Sequence, residues 1–250
     1  MKAEQIFSAL TEWAPLSLAM PYDNSGFLIG DPQTEVTRAI VALDCTAAVV
    51  KKAVREQAEL IITHHPVIFD PLRRVTAAEN NPVFACLSHG IAVISMHTNL
   101  DSAQGGVNDC LAAALGLKNI RRIETEDGFA FRKGELDDAM SADGLARYIK
   151  SRLNGVVRYT DGGKSIKTVA VCGGSGGDFL EPAMREADAF VTADLKHKVL
   201  VSASNMGYPV FDAGHFHTEN TVIAPLAKRL GERFREVSFL SYDPKEIKTA

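Results

Sequence analysis

The chain reads as an α/β protein of two similar three-layer α/β/α domains, with mixed, largely parallel sheets and a metal site in the cleft between them. Three observations predict this. Short apolar runs such as Leu60–Thr63 and Ala189–Thr192 alternate with segments of helical period. The alternation pauses over the charged stretch 121–165 and then resumes. Three of the apolar runs also end in imidazoles and carboxylates rather than in ordinary turn residues. Strand–helix alternation requires crossover connections and hence parallel pairing. Histidines and acids gathered where buried strands end are what a divalent cation needs, because the strands give rigidity and their ends give room.

Ile6, Leu10 and Trp13 lie at helical spacing, predicting a helix over 3–14. Tyr22-Asp23-Asn24-Ser25-Gly26 is a turn cluster leading into a short strand, Phe27–Gly30. Val36–Leu43 is strand-like, and Asp44 or Thr46 can cap a helix that runs to about Glu59. Leu60–Thr63 follows as a buried strand, then a helix near Pro82–His89, the strand Ile91–Ser95 and a helix over Gly106–Leu115. In the second half the strands are Thr168–Cys172, Ala189–Thr192, Pro209–Asp212 and Glu236–Tyr242. Helices are expected around 181–187, 196–206 and 218–230. Three strand-plus-helix steps of the first half match three of the second in order, a pattern consistent with duplication. The irregular segment 121–165 reads as the handover, so the expected domains are 1–125, carrying His64, His65 and Asp101, and 126–250, carrying His215 and Glu219. A crossing of the termini between domains is left open.

Bulk properties exclude some classes. A formal charge of −4 and a pI near 6.0 give no support for a general nucleic-acid or anionic-membrane binder, so DNA binding is not favoured. No run approaches the ~20 apolar residues that span a bilayer, and the N-terminal segment lacks a signal peptide's apolar core and cleavage site. The four dispersed cysteines, Cys45, Cys86, Cys110 and Cys172, show no C-x-x-C spacing. A reducing cytoplasm is the expected setting.

His64-His65 closes one apolar run, Met96-His97-Thr98-Asn99-Leu100-Asp101 a second, and Gly214-His215-Phe216-His217-Thr218-Glu219 a third. Alternate pointing along a strand keeps His64 and His65 from sharing one ion in the usual way. At the strand's end the rings can diverge towards two neighbouring ions, and Pro66 restrains the backbone of His65. Asp101 and Glu219 are available as bridging carboxylates. His215 and Glu219, four apart where a helix begins, fall on one side of a turn near the positive end of the helix dipole. The set is three imidazoles and two carboxylates around a pair of divalent ions, with zinc, iron, manganese, cobalt and nickel all suited to mixed nitrogen and oxygen ligands.

Each residue also has an ordinary structural reading. The histidine pair can be a hydrogen-bonded element, His97 and Asp101 caps, Glu219 a first-turn charge, His217 a solvent-facing ring and His89 a helix C-terminal residue. His197 is a further residue able to reach a site opening. Gly173-Gly174-Ser175-Gly176-Gly177 is either an anion cradle or a tight strand-to-helix turn. It fits neither the dinucleotide nor the P-loop fingerprint, and the turn is preferred. Arg73-Arg74 and Arg121-Arg122 read as solvated faces.

At these residues the chain resembles the GTP cyclohydrolase 1 type 2 homologue family, also described as NGG-interacting-factor-three-like. Tyr22-Asp23-Asn24-Ser25-Gly26 is similar to its W-D-N-x-G signature, with Tyr for Trp. Thr63-His64-His65-Pro66 resembles its T-H-H-P motif, and His97-Thr98-Asn99-Leu100-Asp101 with Gly105-Gly106-Val107-Asn108-Asp109 its H-T-N-x-D…G-G-x-N-D block. Gly214-His215-Phe216-His217-Thr218-Glu219 resembles its closing G-H-x-x-[ST]-E. The resemblance implies two metal ions per subunit on His64, His65, Asp101, His215 and Glu219, two α/β domains and a ring-shaped homohexamer. Its name implies hydrolytic opening of the guanine imidazole ring of GTP at C8 with release of formate. His97, and less strongly His197, would then transfer protons. The competing expectations are a non-catalytic metal-binding ring scaffold or chaperone, and a dinuclear amidohydrolase or phosphoesterase acting on another bond.

Overall fold

The computed structural model describes residues 1–78 and 81–244. It is a mixed α/β chain in two compact units. One unit comprises Met1–Gln104 together with the chain from Ile223 on, and the other Gly105–Val222.

The first unit runs α1 (Ala3–Trp13), β1 (Gly26–Ile29), β2 (Arg38–Ala42), α2 (Ala47–Glu56), β3 (Leu60–Thr63), α3 (Pro82–Ser88), β4 (Ala92–Ser95) and α4 (Thr98–Ser102). Thr46 caps α2 by accepting from the Val49 N–H, and Asn81 caps α3 with Pro82 in its first turn. The unbroken apolar strands are the reason this sheet is central. All four residues of β3 and of β4 are buried, which only a sheet covered on both faces achieves. Ile40, Ala42, Ile61 and Val93 share one apolar cluster with Val49, Val50 and Ala53 of α2 and Val83 and Cys86 of α3.

The second unit runs α5 (Val107–Ala114), β5 (Lys118–Glu124), β6 (Ala130–Met140), α6 (Ala142–Leu153), β7 (Arg158–Tyr159), β8 (Ile166–Val171), α7 (Leu180–Glu186), β9 (Ala189–Thr192), α8 (His197–Asn205), β10 (Val210–Asp212) and α9 (His215–Glu219). Leu111 of α5, Leu115 just after it, and Leu145 and Ile149 of α6 pack with Val169, Val191 and Phe211 of its sheet. The chain then re-enters the first unit as α10 (Ile223–Arg233) and β11 (Ser238–Ser241), which pairs in parallel with β2.

The first sheet has the order β1-β4-β3-β2-β11 and the second β5-β6-β8-β9-β10-β7. The triplets β2-β3-β4 and β8-β9-β10 are parallel in both, and an antiparallel strand flanks each at the same edge, β1 on β4 and β7 on β10. The correspondence extends to one hydrogen-bonded corner. Glu59, just before β3, accepts from the backbone of Thr37 and Arg38 at the start of β2. Asp188, just before β9, accepts likewise from Lys167 and Thr168 on β8.

Three expectations are corrected. The stretch 121–165 is not an irregular handover but most of β5, all of β6 and α6, and β7, which widen the second sheet by antiparallel pairing. Its pattern is faint because β5 is a charged edge strand, an arrangement that discourages edge-to-edge association. The boundary expected at residue 125 falls instead after Gln104, and the crossing of the termini left open by the sequence occurs at the C-terminal side, where the chain from Ile223 joins the first unit. The helix expected over 218–230 begins earlier and in pieces: α9, a 3-10 turn at Asn220–Val222, and α10.

Candidate metal centre

In the first unit the parallel ladder carries β3 one step beyond its last residue. The N–H of His64 donates to Ala42 O and that of His65 to Leu43 O, which fixes both backbones. His64 is fully buried, and its Nδ1 donates to Met96 O at 2.9 Å. His65 donates from Nδ1 to Asp44 Oδ1 at 2.8 Å. His97, at the N-terminal boundary of α4, donates from Nδ1 to Asp23 Oδ1 at 2.8 Å. The three rings cluster with centroids 4.9, 5.1 and 5.5 Å apart. Each offers one nitrogen within 4.8 Å of the others. Asp101 is buried inside α4, with Oδ1 3.5 Å from His64 Nε2, so it is not the turn cap its residue type allowed.

Asp23, read from sequence only as a turn residue, organises this cluster. Besides His97 it accepts from the Thr98 N–H and hydroxyl and from the Ser25 hydroxyl. Burial works against its charge, yet the hydrogen bonds from His97, Thr98 and Ser25 prevail and hold its carboxyl well below the usual carboxylate range.

In the second unit Gly214, at φ 84°, turns the end of β10 into α9. His215 Nδ1 donates to Asp194 Oδ2 at 2.7 Å, and its Nε2 lies 2.9 Å from Glu219 Oε2. Asp212 accepts from the backbone N–H groups of Leu195 and Gly214 and pairs with Arg158, bracing the neighbours of both Asp194 and His215. Glu219 is buried against the glycine-rich loop. A Cβ on Gly174 would stand 2.0 Å from Glu219 Oε1, and Gly174 itself has φ +62°. That loop is the strand-to-helix turn preferred for it. The N–H of Gly173 donates to Asn108 Oδ1, that of Gly174 to Thr218 Oγ1 and that of Gly176 to Thr192 Oγ1. Its glycines make room for a carboxylate, and the donors of Gly173, Gly174 and Gly176 are spent on the protein.

The remaining histidines sort plainly. His217 is half-buried and donates from Nδ1 to Leu153 O, correcting the expectation that it faces solvent. His197 is exposed at the start of α8, and His89 ends α3 as expected.

The donor chemistry fits divalent cations. In His64, His65, His97 and His215 alike an acceptor takes the Nδ1 proton, which leaves Nε2 as the lone-pair atom. This backing of an imidazole by a carboxylate or carbonyl is how proteins set a ligating histidine. At His215 the lone pair then faces a carboxylate oxygen, an arrangement that a cation between the two would reconcile. The 2.9 Å separation at His215 lies within, and the 3.5 Å one at His64 just beyond, the roughly 2.9–3.4 Å between ligand atoms that share an ion at about 2.0–2.1 Å. The two backing aspartates, Asp44 and Asp194, were not identified from sequence. Each precedes its histidine by 21 residues, one strand–helix–strand step.

Residues 1–245 match the family described as Duf34/NIF3 (NGG1p interacting factor 3). A protein of Clostridium perfringens named GTP cyclohydrolase 1 type 2 homolog is 33% identical, over 96% of this chain and 95% of its own. NIF3-like protein 1 of Drosophila melanogaster is 31% identical, over 92% of this chain and 84% of its own. Among solved structures, a Staphylococcus aureus hypothetical protein superposes with a TM-score of 0.92 at 29% identity, covering 100% of this chain and 99% of that one. Reduced HcgD from Methanocaldococcus jannaschii gives 0.84 at 28%, covering 97% and 98%.

Proposed function

The chain belongs to the DUF34/NIF3 family, and from that premise we propose that it is a metal-dependent hydrolase acting on a nucleotide such as GTP. Its ligands are His64, His65, Asp101, His215 and Glu219, holding two divalent cations per chain. The observation that carries the reading is the shared arrangement of the histidines. Every imidazole is fixed through Nδ1, so every Nε2 is presented as a ligand atom. Cations at such ligands supply Lewis acidity and a water acidified towards neutral pH.

The chain's own residues do the rest. Asp44 and Asp194 orient His65 and His215, and the glycine-rich loop fixes the position of Glu219. His97, held by the charged Asp23, is the proton-transfer group. GTP leads among substrates because relatives carry the name GTP cyclohydrolase 1 type 2 homolog. A purely structural zinc site would be closed, four-coordinate and typically rich in cysteine, whereas these ligands are imidazoles and carboxylates and the four cysteines are free thiols. Free thiols also suit the cytoplasmic setting. No helix among the described residues is long and apolar enough to cross a membrane. The family resemblance extends the reading to a homohexamer, with a solution mass near six times the 27.0 kDa of one chain.

The test is to load purified protein with Zn, Mn, Fe, Co or Ni, remove excess ion and count metal per chain by mass spectrometry. Metal-replete wild type and His64→Ala are then assayed on GTP, other nucleotides, phosphoesters and cyclic amides, with formate followed for GTP. About two ions per wild-type chain, fewer in the variant, and turnover confined to wild type are expected. Equal behaviour of the two proteins on every substrate would remove the hydrolase reading in favour of the scaffold.

A further inference from the structure

The segment that follows His65 is anchored and then left open. His65 O accepts from the Thr63 hydroxyl at 2.8 Å and the Ser95 hydroxyl at 3.3 Å, and Pro66 restricts the backbone next to it. Val67 and Ile68 pack on the apolar cluster beneath α2 and α3. Asn24 Nδ2 donates to Ile68 O at 2.6 Å. Immediately after these anchors comes Phe69, a large apolar side chain 46% exposed. Its ring centroid is 6.2 Å from that of His97, with the planes at 81°. Arg73 and Arg74 follow, both exposed, and among the described residues no ion pair occupies either.

A phenyl ring on a fixed backbone, in edge contact with the imidazole cluster and half open to solvent, is a platform for another flat ring. We infer that Phe69 is the stacking seat for the heteroaromatic base of a nucleotide substrate, with Arg73 and Arg74 supplying positive charge for its phosphates. Anchoring matters because a rigid aromatic gives up little entropy on binding. The charge pattern favours a nucleotide over a neutral ring, since two exposed guanidiniums four and five residues after the ring attract an anion. The inference rests on the hydrolase reading above and narrows its substrate class to one in which a planar base contributes binding.

Trp13 is the chain's single tryptophan, so Phe69→Trp introduces a reporter at the seat. The experiment titrates metal-replete wild type, Phe69→Trp, Phe69→Ala, Leu72→Ala and Arg73→Ala/Arg74→Ala with GMP, GTP, guanosine and ribose 5-phosphate. Fluorescence and calorimetry are read beside metal content and light-scattering mass. GMP should quench Phe69→Trp saturably, and ribose 5-phosphate should not. Phe69→Ala should bind GMP about 5- to 150-fold more weakly, the loss typical of removing one base–aromatic stack. Its metal content and mass should be unchanged. Leu72→Ala should bind as wild type does, and the double arginine variant should lose more affinity for GTP than for guanosine.

Equal GMP affinity in wild type and Phe69→Ala overturns the inference, as does equal quenching by ribose 5-phosphate. A change of mass in Phe69→Ala, which would mark the patch as a contact between copies, overturns it too. If wild type nevertheless turns over a nucleotide, the hydrolase reading stands without this seat. A wild-type chain that holds no metal and binds no nucleobase overturns both.

Discussion

Asp194→Ala removes the acceptor that holds the Nδ1 proton of His215. The ring can then rotate or protonate at Nε2, the atom facing Glu219. Metal affinity is expected to fall about 10- to 100-fold with the fold intact, because partners behind a ligating imidazole contribute at that level. Asp44→Ala should act similarly through His65. Competition against a fluorescent chelator measures both, and unchanged affinity would show that these carboxylates are surface charges only. Gly174→Ala is the steric counterpart. Its Cβ would overlap Glu219 Oε1, and the backbone there is left-handed, so stability should drop by roughly 1–3 kcal/mol with metal affinity falling alongside. A variant with unaltered urea midpoint and metal affinity would show that the loop yields freely.

The paired corners at Glu59 and Asp188 carry an acid-stability signature at the scale of the elements. At both residues burial raises the carboxyl's pKa. It is outweighed at Glu59 by the N–H groups of Arg38 and Thr37 and the Thr37 hydroxyl. At Asp188 it is outweighed by the Thr168 backbone and hydroxyl and the Lys167 N–H. Both pKa values therefore end below their ordinary positions. A carboxyl depressed in the folded state gives stability that is fully present above its unfolded value and is lost as pH falls through the folded one. Glu59→Gln and Asp188→Asn should each lower the urea midpoint at pH 7 and narrow the gap between midpoints at pH 7 and pH 3. Parallel curves for variant and wild type would refute this. These corners also show what a sequence discloses. β3 and β9 are legible to the residue because both of their faces are buried, so the apolar run and the strand coincide. β5 has no buried residue, and β6 alternates in burial over Arg132–Leu136 with residue types, Arg132 and Gly134 among the buried, that give no apolar period of two. His64, His65 and His215 announce themselves by type at strand ends. The aspartates behind His65 and His215 are each 21 residues from the ring they hold, and Asp23 is 74 from His97; only the fold brings those distances to one hydrogen bond.

At the scale of the whole molecule the chain leaves the first unit at Gln104 and returns to it at Ile223, so that unit is complete only when the C-terminal segment is in place. β11 covers the open edge of β2 along four residue pairs, Ser238 with Arg38 through Ser241 with Val41. Leu240 and Tyr242 add to the apolar cluster against α2 and α3, and the Lys52 ammonium sits 5.7 Å from the centre of the Tyr242 ring. Deleting the chain after Val237 strips these side chains, at roughly 1–2 kcal/mol for each large half-buried one. It also exposes a strand edge whose residues Ala39–Ala42 are fully buried in the intact chain, and a flat apolar edge templates association with other chains. The truncated protein should therefore melt several degrees lower and scatter light as aggregates at concentrations where the full chain does not. An unchanged melting midpoint with a monodisperse scattering profile would mean that β2 tolerates an open edge and that the returning segment is dispensable to the unit carrying His64, His65 and Asp101. The expected outcome instead makes β11 a structural requirement for three proposed metal ligands that precede it by more than a hundred residues.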